Sequence, residues 1–335
     1  MTERSPRLPR TVFRSLHGIL LLDKPSGISS NQALQRVRHL FRAEKAGHTG
    51  SLDPLATGLL PVCFGEATKI AGVLLGESKA YATLARLGTT TDTDDADGSV
   101  LRERPIPILD DAMVADVIID AALAPLRGRI RQRPPIYAAL KQGGEPLYAK
   151  ARRGEVVEVA ERDADVFRLA CVERGDDWLR LEVECGSGTY VRSLVRDLGE
   201  TLGCGAHVAE LRRLWVEPFR EPRMFGMDEL QEIAAKSEAS LDACLLPIEA
   251  GLAGLGSVSL DAEQAQRLGQ GQPTWIKPEQ CALVKRAQPQ STFDATTVAI
   301  YDMASHALGL GALSIDGMLR VQRLFTWATQ QQTAP

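Results

Sequence analysis

The chain has 335 residues, of which 44% are hydrophobic and 24% are charged, and its formal net charge is −4. This length favours two domains, and no apolar run approaches the roughly 18 residues that a membrane-spanning helix needs. The first fifteen residues carry four arginines against one acid and contain no apolar stretch, so they predict a short basic N-terminal arm (residues 1–15) and no secretion signal.

The chain between the arm and residue 126 is predicted to mix strands, helices and turns. The apolar run "HGILLLDK" indicates a strand, and "SSNQALQRVRHLF" indicates a helix with a serine N-cap. A glycine-rich loop follows, and then come a helix ended by Gly76, a strand in "KAYATLARLG" and an amphipathic helix in "DDAMVADVIIDAALAPL" with aspartates in its first turn. The acidic run from Asp92 to Asp97 is interpreted as a solvated hairpin turn.

Residues 127–153 are strongly basic although the whole chain is acidic. This stretch holds eight Lys or Arg residues and one acid, which gives it a charge of +7. One Pro-Pro pair and one Gly-Gly pair predict a long loop or a loosely folded insertion, and loops of this length tend to be functional or disordered. Lys and Arg clusters release counterions when they neutralise phosphates, so this segment is the predicted contact for a nucleic acid.

The remainder of the chain contains strand pairs, one further helix and a change of texture near residue 250. "DVFRLACVE" and "WLRLEVECG" predict paired strands, "GTYVRSLVRDLGETLG" a helix with Thr189 as N-cap and Gly203 at its end, and "HVAELRRLWVEPF" a strand. After residue 250, short strands with glycine turns predict a small β-rich domain of ordinary size. The pattern lacks regular βαβ alternation, so the fold class is predicted to be α+β with a mixed, mostly antiparallel sheet and flanking helices.

Several classes of site are excluded by motif. The six cysteines form no C-x-x-C pair, and the five histidines are scattered, so reduced thiols in a cytoplasmic protein without a metal site are expected. No phosphate-binding loop, dinucleotide fingerprint or hydrolase nucleophile motif occurs. Neither a cofactor nor a metal is therefore predicted, and the chain is expected to be monomeric.

The loop "GHTGSLDPLATGLLPVCFG" contains a single carboxylate, Asp53, and no Lys or Arg. An arbitrary Asp-Pro usually caps a turn. Here, however, apolar neighbours would desolvate the acid, so it needs a cationic partner from elsewhere in the chain. A carboxylate in a dry pocket suits chemistry at a sugar anomeric carbon, and the loop lacks the second acid that glycoside hydrolysis normally uses. These features favour isomerisation of a nucleoside.

Five stretches in order resemble the TruB family of tRNA pseudouridine-55 synthases. They are "LLDKPSGISS", "GHTGSLDPLATGLLPVCFGEATK", "YATLARLGTTTDTDDADG", "RQRPPIYAALKQGGEPLYAKARRG" and "VECGSGTYVRSLVRDLGETLGCGAHVAELRRL". The resemblance implies a catalytic domain over residues 16–250, a thumb-like insertion at about 127–153 and a PUA-like RNA-binding domain over residues 251–330. It implies cofactor-free isomerisation of uridine 55 in the TΨC arm of tRNA, with base flipping, cleavage of N1–C1′ and formation of C5–C1′.

The resemblance also implies roles for individual residues. Asp53 matches the catalytic aspartate, acting as nucleophile or as base at the ribose, and Arg192 matches its arginine partner. Tyr81 matches the tyrosine that stacks on the target base and is the candidate acceptor of the C5 proton. The other implied contacts to the substrate or to RNA are His48, Tyr190, Leu211, Lys24, Arg129, Arg131, Arg133, Lys141 and Arg152.

Two other functions remain open at this point. A non-catalytic RNA-binding or RNA-folding protein would need the basic insertion and the C-terminal domain but not Asp53. A nucleoside hydrolase or glycosylase would be expected to show a second carboxylate or a metal site. Residues from three distant motifs, Asp53, Tyr81 and Arg192, argue for the isomerase.

Overall fold

The computed structural model describes residues 12–75, 78–107, 112–138, 140–147, 150, 153, 155, 159–287 and 295–330. Two sheets dominate this part of the chain, one of eight strands and one of five. The strands of the first sheet are β1 (Gly18–Lys24), β2 (Ala46–His48), β3 (Thr57–Phe64), β4 (Lys79–Leu87), β7 (Gly128–Gln132), β10 (Arg162–Arg174), β11 (Trp178–Cys185) and β12 (Ala206–Val216). Two small hairpins are formed by β5 (Thr89–Thr91) with β6 (Val100–Glu103) and by β8 (Lys141–Gln142) with β9 (Glu145–Pro146).

The first sheet runs in the order β1-β3-β12-β4-β11-β10-β7, and β2 pairs with β3. Only the contact between β12 and β3 is parallel, so the predicted mostly antiparallel sheet is confirmed. Strand β1 shows why its sequence is a continuous apolar run. Its residues Leu20 and Leu22 enter one core cluster, and Ile19 and Leu21 enter another on the opposite face.

The parallel contact between β12 and β3 depends on a glycine. Gly58 has φ +94°, and a Cβ there would lie 2.2 Å from the carbonyl oxygen of Arg213. No other residue type permits so close an approach of two backbones together with this dihedral angle. Gly58 therefore allows the strand that follows the Asp53 loop to lie beside β12.

Helices cover both faces of the first sheet and surround the second. They are α1 (Ser30–Leu40), α2 (Ala71–Leu75), α3 (Ala112–Leu123), α4 (Val191–Thr201), α5 (Met227–Lys236), α6 (Glu238–Asp242), α7 (Ala262–Gly269), α8 (Pro278–Ala287) and α9 (Thr326–Gln330). The predicted serine N-cap of α1 is confirmed, because Ser29 and Gln32 form a capping box. The predicted N-cap of α4 was wrong by one residue, since Tyr190 occupies that position without a capping side chain. Gly203 adopts φ +81° just after α4, as predicted.

The basic segment is more ordered than a long loop. Its first part is β7, which pairs with β10 at the edge of the first sheet, so the prediction of a long loop or loosely folded insertion was wrong for residues 128–132. Strand β7 is polar and mostly exposed, so its sequence lacks the apolar alternation that usually reveals a strand. Arg152 lies outside the described residues, as do Gly76, the aspartates expected at the start of α3 and residues 1–11 of the basic arm.

The second sheet has the order β13-β15-β16-β17-β14. Its strands are β13 (Ser257–Leu260), β14 (Thr274–Trp275), β15 (Ala295–Asp302), β16 (Ala307–Ser314) and β17 (Met318–Leu324). Polar contacts attach it to the first sheet. The Glu66 carboxylate accepts the Thr326 N–H at 2.6 Å, and Lys69 Nζ donates to the Leu324 carbonyl at 2.7 Å.

Candidate active site

The Asp53 loop is held by the segment that leads into α1. The Ser30 hydroxyl accepts the Leu52 N–H at 2.7 Å and lies 3.0 Å from the Leu52 carbonyl, to which it donates. Gly27 N–H donates to the Pro54 carbonyl at 2.9 Å. The residues on either side of Asp53 are therefore tied to a helix start, which restricts where the carboxylate can point.

Asp53 receives the cationic partner that its sequence surroundings required. Arg192 Nε lies 3.0 Å from Asp53 Oδ2, and the arginine side chain is only 5% exposed. The rest of the guanidinium is also bound, because Nη1 donates to the Thr93 carbonyl and Nη2 to the Tyr137 carbonyl. The predicted pairing of Asp53 with Arg192 is therefore present in the structure, and the arginine can hardly reorient.

A second acid shares this arginine. Asp95 Oδ2 lies 3.2 Å from Arg192 Nη1, and its side chain is 6% exposed. Asp94 pairs with Arg196 on the next turn of α4 at 2.9 Å. The interpretation of Asp92 to Asp97 as a solvated turn was therefore wrong for Asp94 and Asp95. No local pattern could have indicated this, because the arginines that bury these acids come from a helix about a hundred residues later.

Opposing effects act on the Asp53 carboxyl. Burial raises its pKa above the usual range, the Arg192 charge lowers it, and the Asp95 charge raises it again. The side chain nevertheless stays 39% exposed, because the carboxylate faces an open cavity. The acid is thus partly desolvated and held in place, and a ligand in the cavity can reach it.

That cavity, of 320 Å³, collects residues from four distant motifs. Asp53, Tyr81, Tyr190, Arg192 and Leu211 all line it. Tyr81 is 9% exposed and Leu211 is 8% exposed, so each presents only a small face to the cavity. Asp95 instead lines a neighbouring cavity of 680 Å³ on the other side of the Asp53–Arg192 pair. The second acid therefore does not face the cavity that contains Tyr81.

A further buried cation, which the sequence did not single out, also lines this cavity. Arg213 is 1% exposed, and it is paired in register with Tyr81 across β12 and β4. Burial raises the pKa of Tyr81, while the Arg213 charge and its hydrogen bond lower it. Alternation along β12 could have suggested that Arg213 points inward with Leu211, since residues two apart in a strand share a face.

His48 lies at the end of β2 beside the loop. Its pKa is lowered by burial and by the Arg213 charge, so the ring is neutral at physiological pH. Among the described residues, its buried Nδ1 finds no hydrogen-bond partner, and the neighbouring Thr49 hydroxyl also lacks one. Such orphaned groups are uncommon in folded proteins and suit a contact to a bound molecule.

Lys24 does not reach the surface. Its side chain is fully buried, and Nζ donates to the Pro25 carbonyl at 2.8 Å and to the Pro54 carbonyl at 3.3 Å. Burial lowers its pKa to about 8, although the Asp53 charge opposes that shift. Lys24 thus lies beneath the Asp53 loop and, in the free protein, supports it from inside.

The arginines of the basic segment are exposed but paired. Arg129 Nη2 lies 2.8 Å from Asp163, Arg133 lies 3.6 Å from Glu161, and Arg131 contacts both acids. These carboxylates stand on β10 or just before it, outside the stretch counted as +7. Lys141 begins β8.

Comparison with known proteins identifies the family. Three family descriptions match successive parts of the chain: "TruB family pseudouridylate synthase (N terminal domain)" over residues 38–191, "tRNA pseudouridylate synthase B C-terminal domain" over 192–253 and "Pseudouridine synthase II TruB, C-terminal" over 256–325. A tRNA pseudouridine synthase B from Xanthomonas campestris pv. campestris (strain B100) is 56% identical over 95% of this chain and 96% of its own. The chain belongs to the TruB family of pseudouridylate synthases.

More distant TruB relatives extend the match. A tRNA pseudouridine synthase B from Ectopseudomonas mendocina (strain ymp) is 46% identical over 94% of this chain and 97% of its own. The family resemblance read from the five motifs is therefore confirmed, and the protein is a pseudouridine synthase.

A solved structure shares the fold of this TruB chain. The chain titled "Crystal Structure of a Cbf5-Nop10-Gar1 Complex" aligns with a TM-score of 0.68 at 23% identity, over 92% of this chain and 85% of that one. The predicted α+β class with a small β-rich C-terminal part agrees with this neighbour. In the described residues of this TruB chain, no helix is long and apolar enough to cross a membrane, and no group of three metal-binding side chains occurs.

Proposed function

We propose that this enzyme isomerises uridine 55 in the TΨC arm of tRNA to pseudouridine. The observation that carries the proposal is the ion pair of Asp53 with the buried Arg192 at the wall of a cavity that Tyr81 also lines. Relatives that match nearly the whole chain are named tRNA pseudouridine synthases, which favours tRNA as the substrate. We propose further that it acts as a cytoplasmic monomer on the TΨC stem-loop.

The uridine must leave the RNA stack before this chemistry can occur. A stacked nucleotide cannot present both C1′ and C5 to a pocket, so the base is flipped out and its lost stacking is replaced by protein side chains. Tyr81, Tyr190 and Leu211 form the walls that would receive the uracil. His48, neutral and with an unpaired nitrogen, would support the RNA loop that has lost a base.

Asp53 acts at the ribose in its ionised form. It either adds to C1′ or removes a ribose proton, and in both cases N1–C1′ breaks and the uracil stays in the pocket. The uracil turns, C5 bonds to C1′, and the C5 proton is lost. Arg192 holds the carboxylate for this step, because a charge-assisted pair with further bonds to Thr93 and Tyr137 fixes the direction of the acid.

The arginines and lysines of residues 127–153 would contact phosphates, and the five-stranded sheet would bind RNA as a PUA-like domain spanning 251–330. The division into an arm (1–15), a catalytic domain (16–250) and this domain belongs to the same proposal. Sedimentation of the free protein and of its tRNA complex would test the monomeric state.

Release of tritium from tRNA labelled at uridine C5 tests the proposal, because only loss of the C5 proton sets tritium free. We expect release by the wild type, none from a transcript with cytidine at position 55, and none by Asp53→Asn. Asp177→Asn is a matched control, because Asp177 pairs with Arg86 away from the cavity. Equal release by Asp53→Asn and wild type would refute the role of Asp53, and no release by either would favour the RNA-binding alternative.

A further inference from the structure

Arg213 is the largest fully buried side chain of the described residues. Two of its hydrogen bonds hold backbone on both sides of the site. Nε donates to the Leu59 carbonyl at 2.6 Å on β3, and Nη2 donates to the Gly50 carbonyl at 3.1 Å in the Asp53 loop. Arg213 therefore connects the Asp53 loop to β3, the strand that follows this loop in the chain.

Both acceptors are neutral carbonyl oxygens, so these bonds do not neutralise the charge of Arg213. No acid of the described residues forms an ion pair with Arg213, whereas the other buried arginine of the site, Arg192, has two. A buried charge without an ionic partner is costly, so proteins keep one where a negative charge is present or develops. Lys24, His48 and Tyr81 all feel the Arg213 charge, and of these three groups only the Tyr81 hydroxyl can become negative.

The pairing of β12 with β4 places Arg213 next to Tyr81. The two residues are directly opposite in the antiparallel pairing of β12 and β4, so their side chains share one face of the sheet. Both line the cavity with Asp53. The Arg213 charge favours the phenolate form of Tyr81, so its effect on the pKa of the hydroxyl opposes that of burial.

We propose that Arg213 is a positioning residue of the reaction, which orients the Tyr81 hydroxyl and stabilises its phenolate as the acceptor of the C5 proton. This inference rests on the proposed function. In the step concerned, the C5–H bond breaks and its electron pair forms the C5–C6 double bond, while the pair of the N1–C6 double bond moves onto N1, which takes up a proton from water. The C5 proton passes to the Tyr81 oxygen, which becomes a neutral hydroxyl and later returns that proton to water.

The role predicts a defect confined to one step. Burial makes the phenolate a minor form of Tyr81, so the rate of proton removal should follow the phenolate population. Without the Arg213 charge that population falls, by about tenfold for each unit by which the pKa rises. The steps that cleave N1–C1′ depend on Asp53 and Arg192 and should be affected less.

The test compares Arg213→Gln with Arg213→Lys in single-turnover conversion of tRNA that carries hydrogen or deuterium at C5 of uridine 55. Glutamine keeps an N–H donor for the backbone carbonyls but removes the charge, and lysine keeps the charge. We expect Arg213→Gln to be at least about tenfold slower at neutral pH, with a larger deuterium isotope effect than the wild type and with a loss that shrinks as the pH rises. Arg213→Lys should recover most of the rate.

Two other outcomes distinguish a structural role of Arg213 from failure of the proposed function. A slow Arg213→Gln whose isotope effect equals that of the wild type, or whose loss does not change with pH, would overturn the inference in favour of a purely structural role. Failure of the wild type to form pseudouridine would instead refute the proposed function. Thermal unfolding and tRNA binding of each variant show whether the fold is retained.

Replacement of Tyr81 by 3-fluorotyrosine keeps the inference testable if the Arg213 variants do not fold. Fluorine makes the phenol more acidic, so the phenolate population rises without any change at Arg213. We expect a smaller deuterium isotope effect in the otherwise wild-type enzyme, and in a folded Arg213→Gln background we expect partial recovery of the rate. An unchanged dependence on deuterium and pH would overturn the inference.

Discussion

At the scale of single residues, the candidate site is organised around one arginine with two acids. Arg192 contacts Asp53 and Asp95 with different nitrogens, and both acids lie within 3.2 Å. Only Asp53 faces the cavity that contains Tyr81. The division is physically sensible, because one acid is free to react while the other keeps the guanidinium in its direction.

Substitution Asp95→Asn should separate two effects on Asp53. Loss of a hydrogen bond to a charged group costs about 1.5–3 kcal/mol, so the maximal rate should fall roughly ten- to hundredfold as Arg192 loses its hold. The Asp95 charge also raises the pKa of Asp53, so its removal lowers that pKa. Because activity requires ionised Asp53, the acid limb of the pH–rate profile should move to lower pH.

Single-turnover rates measured across pH check this prediction. Asp97→Asn is the matched control, since Asp97 is exposed and raises the Asp53 pKa less than Asp95 does. We expect a smaller movement of the acid limb in the same direction and little loss of maximal rate. An acid limb that moves to higher pH in Asp95→Asn would contradict the electrostatic account.

Part of this site was predictable from sequence. The apolar surroundings of Asp53 demanded a cation, and the family resemblance named Arg192, which the structure places at 3.0 Å. Asp95 and Arg213 could not be found in the same way. An acidic run looks solvated and a strand arginine looks exposed until the tertiary fold shows which distant groups cover them.

At the scale of elements, the start of α4 is joined to the first strand of the basic segment. The side chain of Gln132 at the end of β7 accepts the Tyr190 N–H at 2.8 Å and donates to the Tyr190 carbonyl at 3.0 Å. The Arg133 carbonyl accepts bonds from Ser193 and Arg196. The helix that carries Arg192 is therefore positioned by the segment proposed to contact RNA, and this tertiary support explains why its N-cap is not the threonine that local preference suggested.

Gln132→Leu should uncouple these two elements. The substitution leaves the Tyr190 N–H without a partner and its carbonyl with only the Leu194 N–H, and a buried unsatisfied group costs about 1–3 kcal/mol. We expect slower conversion, with a smaller effect on tRNA affinity, because the arginines that would contact phosphates remain. Single-turnover rates and filter binding measure the two quantities, and a variant that loses affinity but keeps its rate would contradict the coupling.

Gly58→Ala should damage the sheet severely. The new methyl group would lie 2.2 Å from the Arg213 carbonyl oxygen, and φ is +94°, so the free energy of unfolding should fall by about 3 kcal/mol or more. Gly72→Ala is the control, because nothing lies within 4 Å of its Cβ position and it is in a helix. Chemical denaturation of both variants measures the difference. Equal stability would show that β12 and β3 can separate without cost.

Most elements were predictable because their apolar periodicity is strong. Strands β1, β4, β11 and β12 and helix α1 agree with the sequence pattern, since each buries one face or both. Strand β7 was missed because an exposed edge strand has little apolar pattern. The pairing of β12 with β3 was beyond prediction, since strand order depends on contacts between residues far apart in the chain.

At the scale of the whole molecule, charge is less segregated than the sequence indicates. The described arginines of the +7 stretch are already paired with acids before it, within it and after it, namely Asp120, Glu145, Glu155, Glu161 and Asp163. Exposed pairs of this kind are weak and can open for a phosphate. RNA therefore competes with these carboxylates for the same cations.

This competition should appear in the salt dependence of tRNA binding. Seven phosphate contacts would give a slope of about −5 to −6 for the logarithm of affinity against that of salt concentration. We expect the wild type to show a shallower slope than this. Asp163→Asn frees Arg129, so it should bind tRNA more tightly and show a slope about one unit steeper than that of the wild type. Asp177→Asn, in an exposed pair with Arg86 at a distant position, should leave the slope unchanged. A flat response in all proteins would refute the basic segment as the RNA contact.

The bond from Arg213 to Leu59 has a consequence for biosynthesis. The two residues are 154 positions apart, and at translation rates of 5–20 residues per second the ribosome adds the second roughly 8 to 30 seconds after the first. Through most of that interval the apolar strand β3 lacks its neighbour β12, and Asp53 lacks Arg192. The nascent chain thus exposes an apolar, catalytically inert half-sheet, so the two halves of this domain are expected to aggregate when they are expressed separately.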